Sequence, residues 1–287
     1  MEDELYKEVY QIISKLNSNT ILKRATYTDA EILLVYLWTV LHDRPVYWAC
    51  KRCNWPIHYR KKQLPTASTM SRRLRQDSLQ KLIRDVERHL IDRQPAGVCR
   101  WVDAKPLAIG KFSKDKQAGF GYADGRMGNG YKLYAVADAY KGFVAWRVKP
   151  MNRCESIVAD ELVEQLDSEG YLVGDCAYDC NNLYESAAKK SIQLIAPQRT
   201  KDVKALGHRW HSPHRLRGLS LLKGPIGKAL IDSRNTIEAM FGQLTNLGCG
   251  LSPLPNWVRT QFRVEMWVRG KMIIYQLWRQ RNAPNVA

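Results

Sequence analysis

Three acidic residues of this chain, Asp103, Asp175 and Glu238, lie in contexts that suit phosphoryl-transfer chemistry. Asp103 interrupts one apolar run and Asp175 ends another, while Glu238 lies in a stretch with the composition of a helix. Carboxylate oxygens are ligands that Mg²⁺ prefers. A pair of such ions about 3.5–4 Å apart can activate an attacking hydroxyl and stabilise a leaving oxygen. The three carboxylates therefore predict a two-metal site that acts on phosphodiesters.

Two further Asp residues compete for a place at this site. Asp179 follows Asp175 by four residues and could instead cap the next helix. We favour Asp175 as the ligand because it directly ends the apolar strand. Asp138 also ends a predicted strand, where it is a weaker candidate for a metal ligand or a turn residue. An unpaired Asp within a strand is unfavourable by propensity and costly to bury, which favours a functional role for Asp103.

The elements that would position these carboxylates begin at residue 98. Strands are predicted over residues 98–109, 131–138, 142–149, 171–174 and 192–196. The second and third of these form a hairpin. Helices are predicted over residues 155–166, 181–190, 231–247 and 257–279. Three strands followed by alternating helices and strands predict an α/β mixed architecture, a mixed sheet with flanking helices.

Residues 1–95 carry helical patterns throughout and predict an all-α N-terminal domain. Thr28 and Glu31 have the spacing of a capping box at the start of an apolar helix. A Pro and a Gly within residues 93–97 mark the domain boundary. The sequence thus predicts a helical domain over residues 1–95 and a second domain over residues 98–287.

The chain is strongly basic, with 45 Lys and Arg against 28 Asp and Glu and a formal net charge of +17. Residues 44–75 hold nine basic residues and no acid, and residues 190–230 hold nine basic residues and one acid. Residues 198–230 show no clear period and predict a basic insertion in the second domain. This charge favours a polyanionic partner, nucleic acid, over a small acidic substrate.

A basic helix within residues 65–80 is a candidate recognition element of a helix-turn-helix. The other reading is a solvated basic helix that touches only phosphates or nothing. Trp210 could stack on a flipped base, although packing is the commoner role of a lone Trp. The candidate DNA contacts from these regions are Ser68, Thr69, Arg72, Arg73, Arg75, Arg209 and Trp210.

Seven cysteines with irregular spacing indicate a reducing compartment and argue against a disulfide framework. Cys50 and Cys53 form one C-x-x-C pair without a second pair, so a structural zinc is an alternative role for them. The acidic N-terminus is not a signal peptide, and no apolar run reaches membrane-spanning length. We therefore expect a cytoplasmic, nucleoid-associated protein with no membrane partner.

The motifs around the three carboxylates resemble those of DDE transposases of bacterial insertion sequences, which have an RNase H-like catalytic domain. The resemblance covers most of residues 98–280. Trp101-Val102-Asp103 matches the first catalytic motif, Gly174-Asp175 the second, and Arg234-x-x-x-Glu238 the third. The extended third signature carries a Tyr and a Lys where this chain has Ile231 and Thr245.

The resemblance implies cut-and-paste movement of a mobile DNA element. Asp103, Asp175 and Glu238 would be the catalytic residues and would bind two Mg²⁺, for which Mn²⁺ would substitute. Double-stranded DNA, as element terminal repeats and as target, would be the partner of a homodimer in a synaptic complex. The residues that would hold phosphates in the catalytic domain are Arg234, Lys132 and Lys105.

Two other functions remain open from the residues alone. One is a domesticated DNA-binding protein that keeps the fold and has lost catalysis, against which the intact acidic triad argues. The other is an RNase H-like nuclease without strand transfer, which the basic helical N-terminal region disfavours.

Overall fold

The computed structural model describes residues 2–16, 26–61, 63–110, 113–123, 125–167, 169–199, 210–251 and 253–282. The chain divides into two compact units. The first comprises Met1–Arg93, Asn246–Leu251 and Met266–Ala287, and the second comprises Gln94–Thr245 and Ser252–Glu265. The C-terminal residues therefore pack with the helical unit, although in sequence they follow the sheet.

The first unit is built from helices. They are α1 (Glu2–Leu16), α2 (Asp29–Leu41), α3 (Val46–Ala49), α4 (Ala67–Arg73), α5 (Asp77–Asp92) and most of α11 (Gln261–Asn282). The predicted capping box of α2 is confirmed: Glu31 N–H donates to the Thr28 hydroxyl at 3.2 Å, and Thr28 N–H donates to the Glu31 carboxylate at 2.9 Å. This reciprocal pairing satisfies two backbone donors that would otherwise be unbonded at the helix start.

The centre of the first unit combines an apolar helix with buried polar contacts. Nearly every side chain of α2 is buried, and Trp38 stacks on Trp55 with ring centroids 4.7 Å apart. Lys271 on α11 is 1% exposed. Its ammonium donates to the carbonyls of Val40 and Cys249, both at 2.8 Å, and to the Asp43 carboxylate at 2.6 Å. These three bonds use all three donors of the ammonium.

The second unit contains one six-stranded mixed sheet. Its strands are β1 (Cys99–Ala108), β2 (Gly119–Ala123), β3 (Arg126–Asp138), β4 (Gly142–Pro150), β5 (Gly170–Val173) and β6 (Ile192–Ile195). β3 pairs antiparallel with β1, β2 and β4, whereas β5 pairs parallel with β1 and β6. Without β2, the strand order is β4-β3-β1-β5-β6, and the predicted α/β architecture with a mixed sheet is confirmed.

Helices lie on the sheet faces because strand side chains alternate between them. One face, which carries Val102, Tyr134 and Val136, packs on α6 (Glu155–Val163) and α7 (Asn181–Lys189). The opposite face carries Trp101, whose indole donates to the Ser233 hydroxyl at 2.8 Å. Ser233 lies between α9 (Pro225–Asp232) and α10 (Asn235–Asn246). Helices thus cover both faces of the sheet, as predicted.

The structure differs from the sequence prediction in residues 198–230. Residues 200–209 lie outside the described part of the chain, but α8 (Pro213–Leu221) and α9 are regular helices where no period was predicted. Each begins with a Pro in its first turn, and Ser212 caps α8 by accepting from His214 N–H at 3.2 Å. Short helices of this kind depend on their start signals and packing more than on a long apolar stripe.

Within the described residues, no helix combines the length and apolar character needed to cross a bilayer.

Candidate active site

Asp103 and Asp175 lie at the same level of two neighbouring strands. β1 and β5 are parallel, and Trp101 pairs with Val173 at the end of their ladder. Each Asp lies two residues beyond this pair, so the two carboxylates leave the sheet at one place. The Asp175 carboxylate also accepts from Ala177 N–H at 2.8 Å, which begins a short 3₁₀ turn over Cys176–Tyr178. The strand register therefore brings together two of the predicted site residues.

Glu238 reaches the same place from α10 through Arg234. The Arg234 guanidinium lies 2.6 Å from the Glu238 carboxylate and 3.6 Å from that of Asp103. The Trp101–Ser233 hydrogen bond and a contact between the rings of Phe143 and Phe241, 5.2 Å apart, hold α10 on this sheet face. Arg234 consequently joins the strand carboxylate and the helix carboxylate in one cluster.

Burial gives Asp103 unusual electrostatics. The pKa of Asp103 is raised from 3.8 to about 6, chiefly by loss of solvent and further by the charges of Asp175 and Glu155. The Ala104 N–H and the Arg234 guanidinium act in the opposite direction. Because burial disfavours the charged form of Asp103, additional positive charge beside it would be favourable.

Two residues beside the carboxylates were not identified from the sequence. Tyr178 is fully buried, and its hydroxyl has no hydrogen-bond partner among the described residues. Burial raises the pKa of Tyr178 well above its ordinary value, and the charges of Asp103, Glu155 and Asp175 raise it further. Glu155 begins α6 and binds Lys132 at 2.8 Å. In the sequence, Glu155 is an acidic residue in the first turn of a helix and Tyr178 lies in a turn. Neither position has a local pattern that indicates a functional residue.

Asp103, Asp175 and Glu238 carry carboxylate oxygens, which are the ligands that a hard divalent cation prefers. In the described part of the chain, no three His, Cys, Asp or Glu side chains are close enough together to hold a metal ion. The same finding leaves the described Cys50 and Cys53 without the further ligands of a zinc site. At the carboxylate cluster, Arg234 supplies the positive charge in this structure.

The two competing Asp residues are engaged in structural contacts. Asp179 accepts from Nε and Nη2 of Arg215, at 2.6 and 2.7 Å, and from Arg199 N–H at 3.0 Å. Asp138 accepts from Gly97 N–H at 2.8 Å and from two backbone N–H groups of the β3–β4 turn. These contacts favour Asp175 over both of them as the functional carboxylate.

Replacement of Arg215 by Lys tests the structural role of Asp179. An ammonium cannot reproduce the two parallel hydrogen bonds of a guanidinium. We expect Arg215→Lys to lower the free energy of unfolding by about 1–2 kcal/mol in urea titrations. Arg217→Lys, on an exposed position of α8, is the matched control and should change nothing measurable. Equal stability of both variants would show that the Asp179 pair is unimportant.

Asp103→Asn is expected to stabilise the metal-free protein at neutral pH. Because its pKa is about 6 in the folded state and 3.8 ordinarily, the folded protein binds this proton more tightly than the unfolded chain. The stability that this carboxyl group contributes is therefore present at low pH and is lost as the pH rises from 3.8 to about 6. The Asn variant should gain on the order of 1–2 kcal/mol at neutral pH, measured in urea with a chelator. The gain should vanish near pH ~4, and a variant less stable than wild type at neutral pH would contradict it.

The candidate DNA contacts of the N-terminal unit are distributed over α4 and the turn that follows it. Ser68 and Arg72 are exposed, Thr69 is half-buried, and Arg75 is exposed with its guanidinium on the Ser71 carbonyl at 2.6 Å. Arg73 differs, because it is buried and binds Asp29 at 2.7 Å. The predicted DNA contact of Arg73 is therefore at odds with its position, since its guanidinium already neutralises a buried carboxylate.

The remaining candidates fall in the second unit. Lys132 is mostly buried against Glu155, and Lys105 is half-buried on β1. Trp210 is 66% exposed, which is consistent with a surface contact more than with the packing role. Arg209 lies outside the described residues.

Comparison with known proteins identifies the family. Residues 94–277 match the family model described as "Transposase DDE domain", and no curated protein matches the sequence. Among solved structures, the chain is similar to a cryo-EM structure of a piggyBac transposase synaptic complex with hairpin DNA. That similarity has a TM-score of 0.39 and 9% identity, and it covers 99% of this chain and 80% of the other. On the strength of the family match over most of its length, this chain belongs to the transposase DDE domain family.

Proposed function

We propose that this protein is a transposase that cuts DNA at the ends of a mobile element and joins the freed ends to target DNA. The observation that carries the proposal is the pairing of Arg234 with both Asp103 and Glu238, with Asp175 beside Asp103, inside the matched family region. Hydrolysis at the element end would free a 3′-hydroxyl. Attack of that hydroxyl on a target phosphodiester is the same kind of displacement, so one site can serve both steps.

Asp103, Asp175 and Glu238 would hold two Mg²⁺ or Mn²⁺ ions. When bound, such ions supply positive charge for the attacking and leaving oxygens of a phosphodiester. The raised pKa of Asp103 supports this assignment, because a carboxylate that is poorly compensated in the protein alone is stabilised by added cationic charge.

Arg234 is the residue best placed to contact the scissile phosphate. Its guanidinium already bridges two of the carboxylates, and only the Glu238 contact is at hydrogen-bond distance. If the Arg234 guanidinium moved from Glu238 to a phosphate, Glu238 would become available as a metal ligand. The positive charge of Arg234 would stay beside the reacting atoms. Lys105 lies two residues along β1 from Asp103 and would hold a neighbouring phosphate.

The helical unit would recognise the terminal repeats through α4, with Ser68, Thr69, Arg72 and Arg75 as contacts. A homodimer would bring two element ends together. Action on DNA and seven cysteines without disulfides in the described residues fit a cytoplasmic location in a bacterium.

Strand transfer separates the transposase from the two alternative functions. A labelled fragment with the DNA that flanks the coding sequence would be incubated with a target plasmid, protein and Mg²⁺. Label joined to the plasmid by wild type, and not by Asp103→Asn, is the expected result. Nicks without joined label would identify a nuclease, and DNA binding without nicks or joined label would identify a catalytically silent relative.

A further inference from the structure

A two-stranded ribbon projects from the sheet at the end that also carries the carboxylates. Among the described strands, β2 pairs with the first half of β3 alone, with Phe120 opposite Asn129 and Tyr122 opposite Met127. β1 runs alongside as far as Ala108, and Ile109 N–H donates to the Asn129 carbonyl at 3.0 Å. The ribbon is therefore an extension of the strands that position Asp103.

The two faces of this ribbon have opposite character. One face is formed by glycines against which the chain at Met151 and Asn152 packs closely. A Cβ at Gly121 would lie 2.8 Å from the Met151 carbonyl oxygen, so a side chain there is excluded. The alternation of Gly with Phe and Tyr then directs both aromatic side chains to the other face. There Phe120 is 60%, Tyr122 62% and Met127 54% exposed.

The aromatic face is the sheet face on which Asp103 lies. Asp103 pairs with Ala135, and directly opposite residues of an antiparallel pair point to the same side. Counting by twos along β3 from Ala135 reaches Asn129 and Met127, the partners of Phe120 and Tyr122. Phe120 lies about six residues along from Asp103, or roughly 20 Å at the rise of a strand. This is about the length of six nucleotides in a DNA strand.

The charges around the ribbon suit a nucleic acid. Lys114, Lys116 and Arg126 are exposed beside it. The nearby Asp115 carboxylate accepts from the Tyr131 hydroxyl and from Thr260 N–H, both at 2.7 Å, and from Gln117 N–H at 3.0 Å. These bonds engage the Asp115 charge inside the protein, whereas the three cations face solvent.

We propose that Phe120 and Tyr122, with Met127 beside them, form a platform on which unpaired DNA bases stack near the cleavage site. Exposed aromatic side chains beside cations are how proteins hold single strands without sequence preference, because every base has a stacking face. The inference deepens the proposed function, on which its ligand depends. The ribbon would hold the DNA strand that becomes unpaired about six nucleotides from the scissile phosphate.

Binding of a single strand in the absence of metal tests the platform without requiring cleavage. The probe is a 16-nucleotide oligothymidine with one central 2-aminopurine, whose fluorescence changes on stacking, in buffer with a chelator. Phe120→Leu/Tyr122→Leu keeps the apolar strand and removes both rings. We expect this variant to bind at least about tenfold more weakly and to lose the fluorescence change. Phe120→Tyr/Tyr122→Phe should behave as wild type.

Two further variants make the result specific. Tyr140→Ala removes a tyrosine that is 51% exposed at the turn on the opposite end of β3, and it should leave binding unchanged. Arg126→Ala should reduce the slope of log affinity against log salt by about 0.7, whereas the Leu pair should not alter the slope. Melting curves of all variants would check that each of them is folded.

Equal affinity and equal fluorescence for wild type and the Leu pair would overturn the proposal. It would also be overturned if the Leu pair changed only the sedimentation of the protein, which would make the ribbon a contact between two copies. Failure of the proposed function would look different: stacking would be retained while wild type neither nicks nor joins DNA with Mg²⁺.

Discussion

Asp103→Asn is expected to abolish metal-dependent nicking of supercoiled plasmid. The Asn side chain keeps the shape of Asp103 and removes the charge that would hold a cation beside Asp175 and Glu238. Loss of metal-derived stabilisation of several kcal/mol corresponds to a fall in nicking rate on the order of 10³-fold or more. The measurement is conversion of supercoiled to open-circular DNA at low salt with Mg²⁺ or Mn²⁺, which requires no knowledge of the element ends.

Variants of the other two carboxylates and of an exposed Asp show whether the loss of nicking comes from this site. Asp175→Asn and Glu238→Gln should show the same loss, since the three carboxylates act as one site. Asp167→Asn, an exposed position after α6, should nick at the wild-type rate. Nicking that persists in the three site variants would show that the residues are wrongly assigned or that a contaminating nuclease is present.

Lys271→Met is expected to produce the largest loss of stability. The buried ammonium satisfies the Val40 and Cys249 carbonyls and pairs with Asp43, and a Met side chain of similar length can do none of this. Removal of one partner from a buried polar network costs about 3–5 kcal/mol. The melting temperature should fall by about 10 °C.

Circular dichroism at 222 nm during heating, with urea titrations in parallel, would measure this loss. Lys81→Met is the matched control, because Lys81 is exposed on α5 of the same unit. A melting temperature for Lys271→Met close to that of the control would mean that the carbonyls find other partners. The network would then be dispensable.

Much of the fold could be predicted from the sequence because several helices and strands have clear local patterns. The β3–β4 hairpin alternates apolar and polar residues, and Thr28 with Glu31 forms the predicted capping box. β2 was missed because glycine is depleted in strands, and here it is required by the close approach of Met151. Such a requirement arises only from tertiary packing.

The candidate site was accessible from the sequence only in part. Asp103 and Asp175 are marked by the apolar runs they interrupt or end, and parallel pairing of β1 with β5 brings them together. Burial of Arg73 against Asp29, and the position of Glu155 and Tyr178 beside the carboxylates, depend on residues distant in the chain. A basic residue in a basic helix gives no local sign that its charge is already neutralised.

Cleavage of the protein backbone by bound iron tests most directly whether the three carboxylates hold cations together. Fe²⁺ in place of Mg²⁺, with ascorbate and peroxide, generates radicals that cut the chain near the metal. We expect cuts around residues 103, 175 and 238 in wild type, suppressed by excess Mg²⁺ and absent in Asp103→Asn. Cuts at only one of these places, or cuts unaffected by the substitution, would contradict a shared metal site and the proposed chemistry with it.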